Sequence, residues 1–285
     1  MVGIVTQPDR PKGRGKKTVP PPVKVTARQY NLQPIWQPEK LKDEEFVDFL
    51  KQINADLFIV VAYRVLPEEI FTLPALGTIN LHPSLLPKFR GAAPINWTII
   101  SGESETGNTI IKISKEVDAG EIILQRKTLI FPNETAGELH DRLASSGAEL
   151  LLEAIDIIQK GSYSLQPQKN EFATPAPKLT KEHCHLSFNQ PAPAVKNWIH
   201  GLSPLPTGFA FYQGERINFY RARVINEEQI NAPAGTILEA SADKLKIVCA
   251  PGVIEILELQ REGKRRLLTA DFLRGFTLIE GTLFH

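Results

Sequence analysis

Asn80-Leu81-His82-Pro83-Ser84-Leu85-Leu86-Pro87, continued by Arg90-Gly91-Ala92-Ala93-Pro94, decides how the chain folds. It follows the apolar pair Thr78-Ile79 and precedes helical spacing from Pro94 to about Ser101. Asn80 and His82 therefore fall near the end of a predicted strand, on one face, because strand side chains alternate. Pro83 and Pro87 stiffen the exit loop and remove backbone donors from it. An amide and an imidazole at the carboxyl edge of an α/β sheet stand where such sheets bind ligands. Spacing alone leaves a second reading open, in which Asn80 caps the loop and His82 is a satisfied structural histidine.

Working outward, the flanking segments predict an α/β domain. Val2 to Thr6 reads as a strand, and Pro22 to Asn31 and Asp43 to Asn54 have helical spacing, with Phe46, Phe49, Leu50 and Ile53 on one stripe. Asp56 to Ala62 is mostly apolar and reads as a buried parallel strand, and Glu68 to Leu73 as a short helix. Downstream, Gly107 to Ile113 alternates as a strand, and the turn Glu116-Val117-Asp118-Ala119-Gly120 leads to a second strand, Glu121 to Ile130. A long amphipathic helix follows, Glu134 to Lys160, with Leu139, Leu143, Leu150, Leu151, Ala154 and Ile158 as its buried stripe. Periodicity then fades among Pro167, Pro175 and Pro177. The expected organisation is a catalytic domain over 1–165, a linker over 166–187 and a second domain over 188–285. That second domain holds a helix, Ala192 to Gly201, and short strands (Phe209–Tyr212, Arg216–Val224, Gly235–Leu238, Lys244–Val248, Val253–Leu259) that predict a small β-barrel.

Composition narrows the function classes. The 285 residues are 42% hydrophobic and 23% charged, ordinary for a globular protein, and the net charge of +1 confines any attraction to nucleic acid to local patches. Such a patch is Gln7 to Lys17, where Arg10, Lys12, Arg14, Lys16 and Lys17 face one acid, Asp9. Its Pro and Gly content predicts an exposed, mobile loop, read either as a solvated linker or as an electrostatic finger for a phosphate backbone. It is no phosphate-binding P-loop, since Gly15-Lys16 is followed by Lys17 and no Gly lies five positions before Gly15. Two cysteines, Cys184 and Cys249, fit a reducing compartment. His183-Cys184-His185 lacks a second cluster and makes a poor zinc site. No run approaches the roughly 20 apolar residues of a membrane span, and Val2 to Val5 is too short for a signal sequence, so a soluble, cytoplasmic protein is expected.

Asn80-x-His82-x-Ser84-Leu85-Leu86-Pro87 with Arg90-Gly91-Ala92-Ala93-Pro94 resembles the signature of the folate-dependent formyltransferases. Three further stretches carry the resemblance through nearly the whole chain, toward the members that act on methionyl-tRNA: the loop around Arg14, Val117-Asp118-x-Gly120, and Pro233-Ala234-Gly235-Thr236-Ile237. The resemblance implies a Rossmann-like, mostly parallel sheet followed by an OB-like β-barrel that binds tRNA. It implies Asn80, His82 and Asp118 as catalytic residues, where composition alone also allows a purely structural Asp118 in a common turn sequence. Ser84, Leu85, Leu86 and Pro87 would contact the folate. Arg10, Lys12, Arg14, Lys16 and Lys17 would hold the acceptor stem of initiator methionyl-tRNA. The implied cosubstrate is 10-formyltetrahydrofolate, with no metal, and a monomer is expected.

Two departures and two alternatives accompany this resemblance. The family has a further strand and helix upstream of Val2, so the start reads as truncated, and its loop corresponding to Tyr63-Arg64-Val65-Leu66-Pro67, which lines the pterin pocket, is one residue longer. A formyltransferase acting on an amino sugar nucleotide would share Asn80, His82 and Asp118, and Asn96-Trp97 after Pro94 resembles such enzymes. That alternative leaves the basic loop without a use. A non-catalytic RNA-binding relative is the other, opposed by the presence of all three catalytic side chains.

Overall fold

The computed structural model describes residues 1–12 and 17–285. In chain order it contains β1 (Ile4–Val5), β2 (Arg10–Lys12), β3 (Lys17–Val19), α1 (Pro22–Gln29), β4 (Ile35–Trp36), α2 (Glu44–Ile53), β5 (Phe58–Val61), α3 (Glu68–Phe71) and β6 (Thr78–His82). Next come β7 (Arg90–Gly91), α4 (Pro94–Ile100), β8 (Glu105–Lys112), β9 (Ile122–Leu129) and α5 (Ala136–Gln159), then β10 (Pro175–Ala176), α6 (Lys181–Cys184) and α7 (Ala192–Gly201). The chain ends with β11 (Gly208–Tyr212), β12 (Glu215–Asn226), β13 (Ile237–Ser241), β14 (Lys244–Val248), β15 (Val253–Arg261), β16 (Leu267–Leu268) and α8 (Thr269–Gly275). Contacts group these into two compact units, one of Met1–His82, Ile110–Leu124 and Glu153–Gln168, the other of Pro83–Thr109, Gln125–Leu152 and Lys169–His285.

In the first unit, β1 pairs in parallel with β4, and β5 in parallel with β6, Val60 opposite Asn80. The sheet that holds β5 and β6 has the strand order β5-β6-β8-β9, of whose last two strands only the Ile110–Lys112 and Ile122–Leu124 stretches belong to this unit. Phe46 and Leu50 of α2, with Ile70 of α3, form a core onto which Val5, Trp36 and Phe58 pack. The expected buried strand over 56–62 is parallel but only half covered. Phe58 and Val60 are partly buried, while Ile59 and Val61 are 43% and 50% exposed. The alternation is the reason: Phe58 faces the α2 core, while Ile59 and Val61 point to the other face of the strand.

The basic segment also departs from expectation. Rather than a loose loop, its described arms β2 and β3 pair antiparallel, Arg10 opposite Val19 and Lys12 opposite Lys17. A two-stranded ribbon satisfies backbone donors and acceptors without needing a core. Its base is fixed by Asp9, whose carboxylate accepts from Lys24 Nζ at 2.8 and 2.9 Å and from Gln37 Nε2 at 2.7 Å. The Lys24 and Gln37 hydrogen bonds hold the Asp9 carboxyl below the ordinary carboxylate range.

In the second unit β7 pairs in parallel with β10, and the larger sheet runs β11-β12-β15-β14-β13, with β16 on β15 and every pairing within it antiparallel. Register shifts between Phe219 and Ala222 bend the long β12. The carboxyl terminus joins the two ends of this order: Phe211 and His285 exchange backbone hydrogen bonds at 2.7 and 2.9 Å, Ile237 N donates to Thr282 O at 2.8 Å, and Phe284 N donates to Gly235 O at 3.0 Å. That closes the expected barrel around Ile217, Phe219, Ile247, Ile254, Ile256 and Leu259. Within 166–187, expected as a linker, the structure finds β10 and α6, and Cys184 and Leu186 lie in the barrel core. Leu186 N donates to Phe209 O at 2.8 Å, so the stretch is anchored by bonds that no apolar period announces.

Candidate active site

Asn80 and His82 are the third and last residues of β6, on one side of the strand as their spacing predicts. The His82 side chain is 4% exposed and its Nδ1 lies 3.5 Å from Oδ2 of Asp118, itself 12% exposed. A carboxylate at that distance orients the imidazole ring. The Asn80 side chain is partly buried.

Asp118 reaches this place through an unusual turn. Its φ of 55° is left-handed, a conformation that Asp and Asn tolerate better than most residues. Two residues on, a Cβ at Gly120 would fall 1.7 Å from the Lys112 carbonyl oxygen, so only glycine lets the turn lie this close to the end of β8. Lys112 N donates to Glu121 O at 2.9 Å just beyond. On the other side of the turn, Gln168 Nε2 donates to the backbone oxygens of Asp118 and Gly120 at 2.8 and 2.7 Å.

The loop Tyr63 to Pro67 is tied down by Arg64, which donates to Pro38 O at 2.7 Å, Glu39 O at 2.8 Å and the Tyr63 hydroxyl at 2.8 Å. Ala62, which leads into it, has a φ of 47°.

In the second unit, Ser84 and Leu86 are buried, and the Ser84 hydroxyl donates to Lys88 O at 2.7 Å. Thr109 Oγ1 donates to Ser84 O at 2.6 Å, and Gln125 Nε2 donates to Leu86 O at 3.0 Å. These two side chains therefore brace the loop, while Leu85 and Pro87 are partly exposed. Of the five basic residues, Arg10 and Lys17 are exposed, Arg10 pairing with Glu39 at 3.0 Å. Lys12 stands in β2, and Arg14 and Lys16 lie outside the described residues. Three barrel arginines are engaged with acids: Arg221 pairs with Glu138 at 2.6 Å, Arg223 with Glu255 at 2.9 Å, and Arg266 with Glu258. His183, Cys184 and His185 diverge, the first accepting from Thr180 N, the second donating to Thr180 O, the third bonded to His285 O. A separate cavity of about 210 Å³ lies in this unit beside Lys196, Asn197 and His200 and contains none of the predicted catalytic residues.

The formyl transferase family model matches residues 1–155, and the model of the formyl transferase C-terminal domain matches 178–277. The chain belongs to the formyl transferase family. Among formyl transferases, it is 43% identical to the methionyl-tRNA formyltransferase of Caldanaerobacter subterraneus subsp. tengcongensis over 99% of this chain and 91% of that one. It is 39% identical to that of Clostridioides difficile, again over 99% of this chain and 91% of the relative. In fold it is similar to HypX from Aquifex aeolicus in complex with tetrahydrofolic acid, with TM-score 0.64 and 19% identity over 95% of this chain and 46% of that one, so it spans under half of HypX. The sugar 3N-formyl transferase WlaRD matches 92% of this chain and 98% of its own, with TM-score 0.62 and 18% identity.

The residues that sequence reading missed tie down backbone at the Asp118 turn and at the base of the ribbon. Gln168 sits in an aperiodic, proline-interrupted stretch, and Lys24 and Gln37 carry no local signal of their tie to Asp9. Gly120 was visible as a turn residue, but its closeness to Lys112 depends on the tertiary fold.

Proposed function

We propose that this chain transfers the formyl group of 10-formyltetrahydrofolate to the α-amine of methionine esterified to initiator tRNA. The observation that carries the reading is the His82–Asp118 pair at 3.5 Å, on the same strand end as Asn80. Relatives at 39–43% identity over 99% of the chain are named for methionyl-tRNA, whereas sugar formyltransferases resemble it at 18–22% identity, which supports the tRNA acceptor.

In the proposed reaction the neutral amine attacks the formyl carbon and the carbonyl oxygen takes up negative charge. The Asn80 amide donates to that oxyanion, where loss of one such donor costs roughly 10²–10³ in rate. His82 takes the proton the amine releases, and Asp118 orients the ring and stabilises the imidazolium, a form of assistance worth roughly 10²–10⁴. The C–N10 bond then breaks, a proton passes to N10, and formyl-methionyl-tRNA and tetrahydrofolate leave. The folate is a cosubstrate in this scheme, and none of its steps calls on a metal. The Ser84–Pro87 loop meets the folate through Leu85, Pro87 and its backbone, with Ser84 and Leu86 as internal braces. Arg10, Lys12, Arg14, Lys16 and Lys17 engage the acceptor stem, and the reaction belongs to the cytoplasm, where initiator tRNA is charged.

Formylation of methionyl initiator tRNA with 10-formyltetrahydrofolate tests this reading. Asn80→Ala and His82→Ala are each expected to lose at least about 10²-fold in kcat. Near-normal turnover in both variants refutes the assignment.

A further inference from the structure

We propose that Gln168 is a positioning residue for formyl transfer, its carboxamide clamping the turn that aims the Asp118 carboxylate at His82. The inference rests on the functional reading above and adds a residue outside the motifs that the resemblance supplies.

Gln168 is delivered by a two-bond bridge. Gln166 N donates to Ile122 O at 2.9 Å and Ile122 N donates to Gln166 O at 2.8 Å, an antiparallel exchange. Continuing that register by two residues sets 168 opposite Gly120. No ladder forms there, because the chain at Asp118 has turned into the left-handed region. The side chain replaces the ladder: Nε2 has two hydrogens and donates to Asp118 O and Gly120 O at 2.8 and 2.7 Å. Both partners are carbonyl acceptors, so this end of the amide must be the nitrogen, and a carboxylate there would meet two oxygens.

The turn thus has two restraints, the Lys112 carbonyl packed against Gly120 and the Gln168 amide across from it. Removing the second frees Asp118, whose left-handed conformation persists only where its surroundings over-determine it. The link acts through the peptide that carries the carboxylate, so Gln168 needs no contact with either substrate.

The test uses the full chain as Gln168→Met, an apolar side chain of similar length, and Gln168→Glu. Formyl transfer is measured with and without Asp118→Asn. Each single variant is expected to lower kcat by about 10–100-fold, as a misplacement of about 1 Å does, with both KM values held within about twofold. Placed on Asp118→Asn, the Gln168 change is expected to add less than about twofold, because its effect passes through that carboxylate. Unchanged kcat in both single variants overturns the proposal, as does a full multiplicative loss on Asp118→Asn. Failure of both variants to fold also overturns it, since the amide would then hold the fold instead of the site. If Asp118→Asn itself turns over normally, the reading of Asp118 fails and Gln168 with it. A crippled Asp118→Asn beside normal Gln168 variants removes only the clamp.

Discussion

Gly120→Ala is the substitution whose consequence the structure sets most tightly. The new Cβ lands 1.7 Å from the Lys112 carbonyl oxygen, whereas ordinary contact begins at 3.4 Å. The turn or the end of β8 must therefore retreat by the difference, 3.4 − 1.7 = 1.7 Å. Neither partner is a flexible side chain, so the shift passes along the backbone to Asp118 two residues away. A displacement of about 1 Å in a positioned group costs about 10²-fold, so kcat for formyl transfer should fall by roughly 10²–10³. Overpacking of this kind costs about 1–3 kcal/mol, on the order of 5–10 °C in unfolding midpoint. Gly275 supplies the control: it closes α8 with a negative φ, and a Cβ added there would meet no heavy atom within 4 Å. Gly275→Ala should leave kcat unchanged and be neutral or stabilising by about 0.5–1 kcal/mol. The assay is steady-state formylation beside thermal unfolding of both variants. Wild-type kcat and midpoint in Gly120→Ala would refute the claim that backbone contact sets the position of Asp118.

Other expectations concern stability and tRNA. Burial, then the charge of Lys196, pushes His200 down to about 4 from 6.5, so it is neutral when folded while the unfolded chain takes up a proton. Its stabilisation, about 3 kcal/mol, is complete above pH 6.5 and is lost as pH falls toward 4. Urea unfolding between pH 7.5 and 5 should show His200→Phe losing about 2 kcal/mol less than wild type, and parallel curves would count against it. Arg10→Gln and Lys17→Gln should raise KM for tRNA, leave KM for the folate alone, and each reduce the salt slope of tRNA binding by about one. The Arg10–Glu39 pair is 65% exposed on both sides, so exchanging it for a phosphate costs little.

Local signals and tertiary ones were unequally legible. The helix over 22–29, the strand ending at His82 and the helix over 192–201 each follow from periodicity, with Pro at the helix starts. The Asn80–His82 face needed only strand alternation. Asp118 is 36 residues from His82 in sequence, and no spacing rule brings them together; the shared motif did. The basic ribbon was misjudged because composition reports the absence of a core, whereas two strands can pair over an anchor such as Asp9–Lys24–Gln37. Residues 166–187 looked loose for a related reason: Gln168 and Leu186 act through isolated side chains, one polar and one buried, which leave no period to detect.

The strand β5 has a colloidal consequence. Ile59 and Val61 are exposed on a strand whose one strand partner among the described residues is β6. An apolar edge with unclaimed backbone groups is a template for a strand from another molecule, and no charge lies within Phe58–Val61 to repel one. This edge is therefore one place where copies of the chain can stick at high concentration, and Ile59→Lys or Val61→Lys would blunt it without touching the strand end that carries Asn80 and His82.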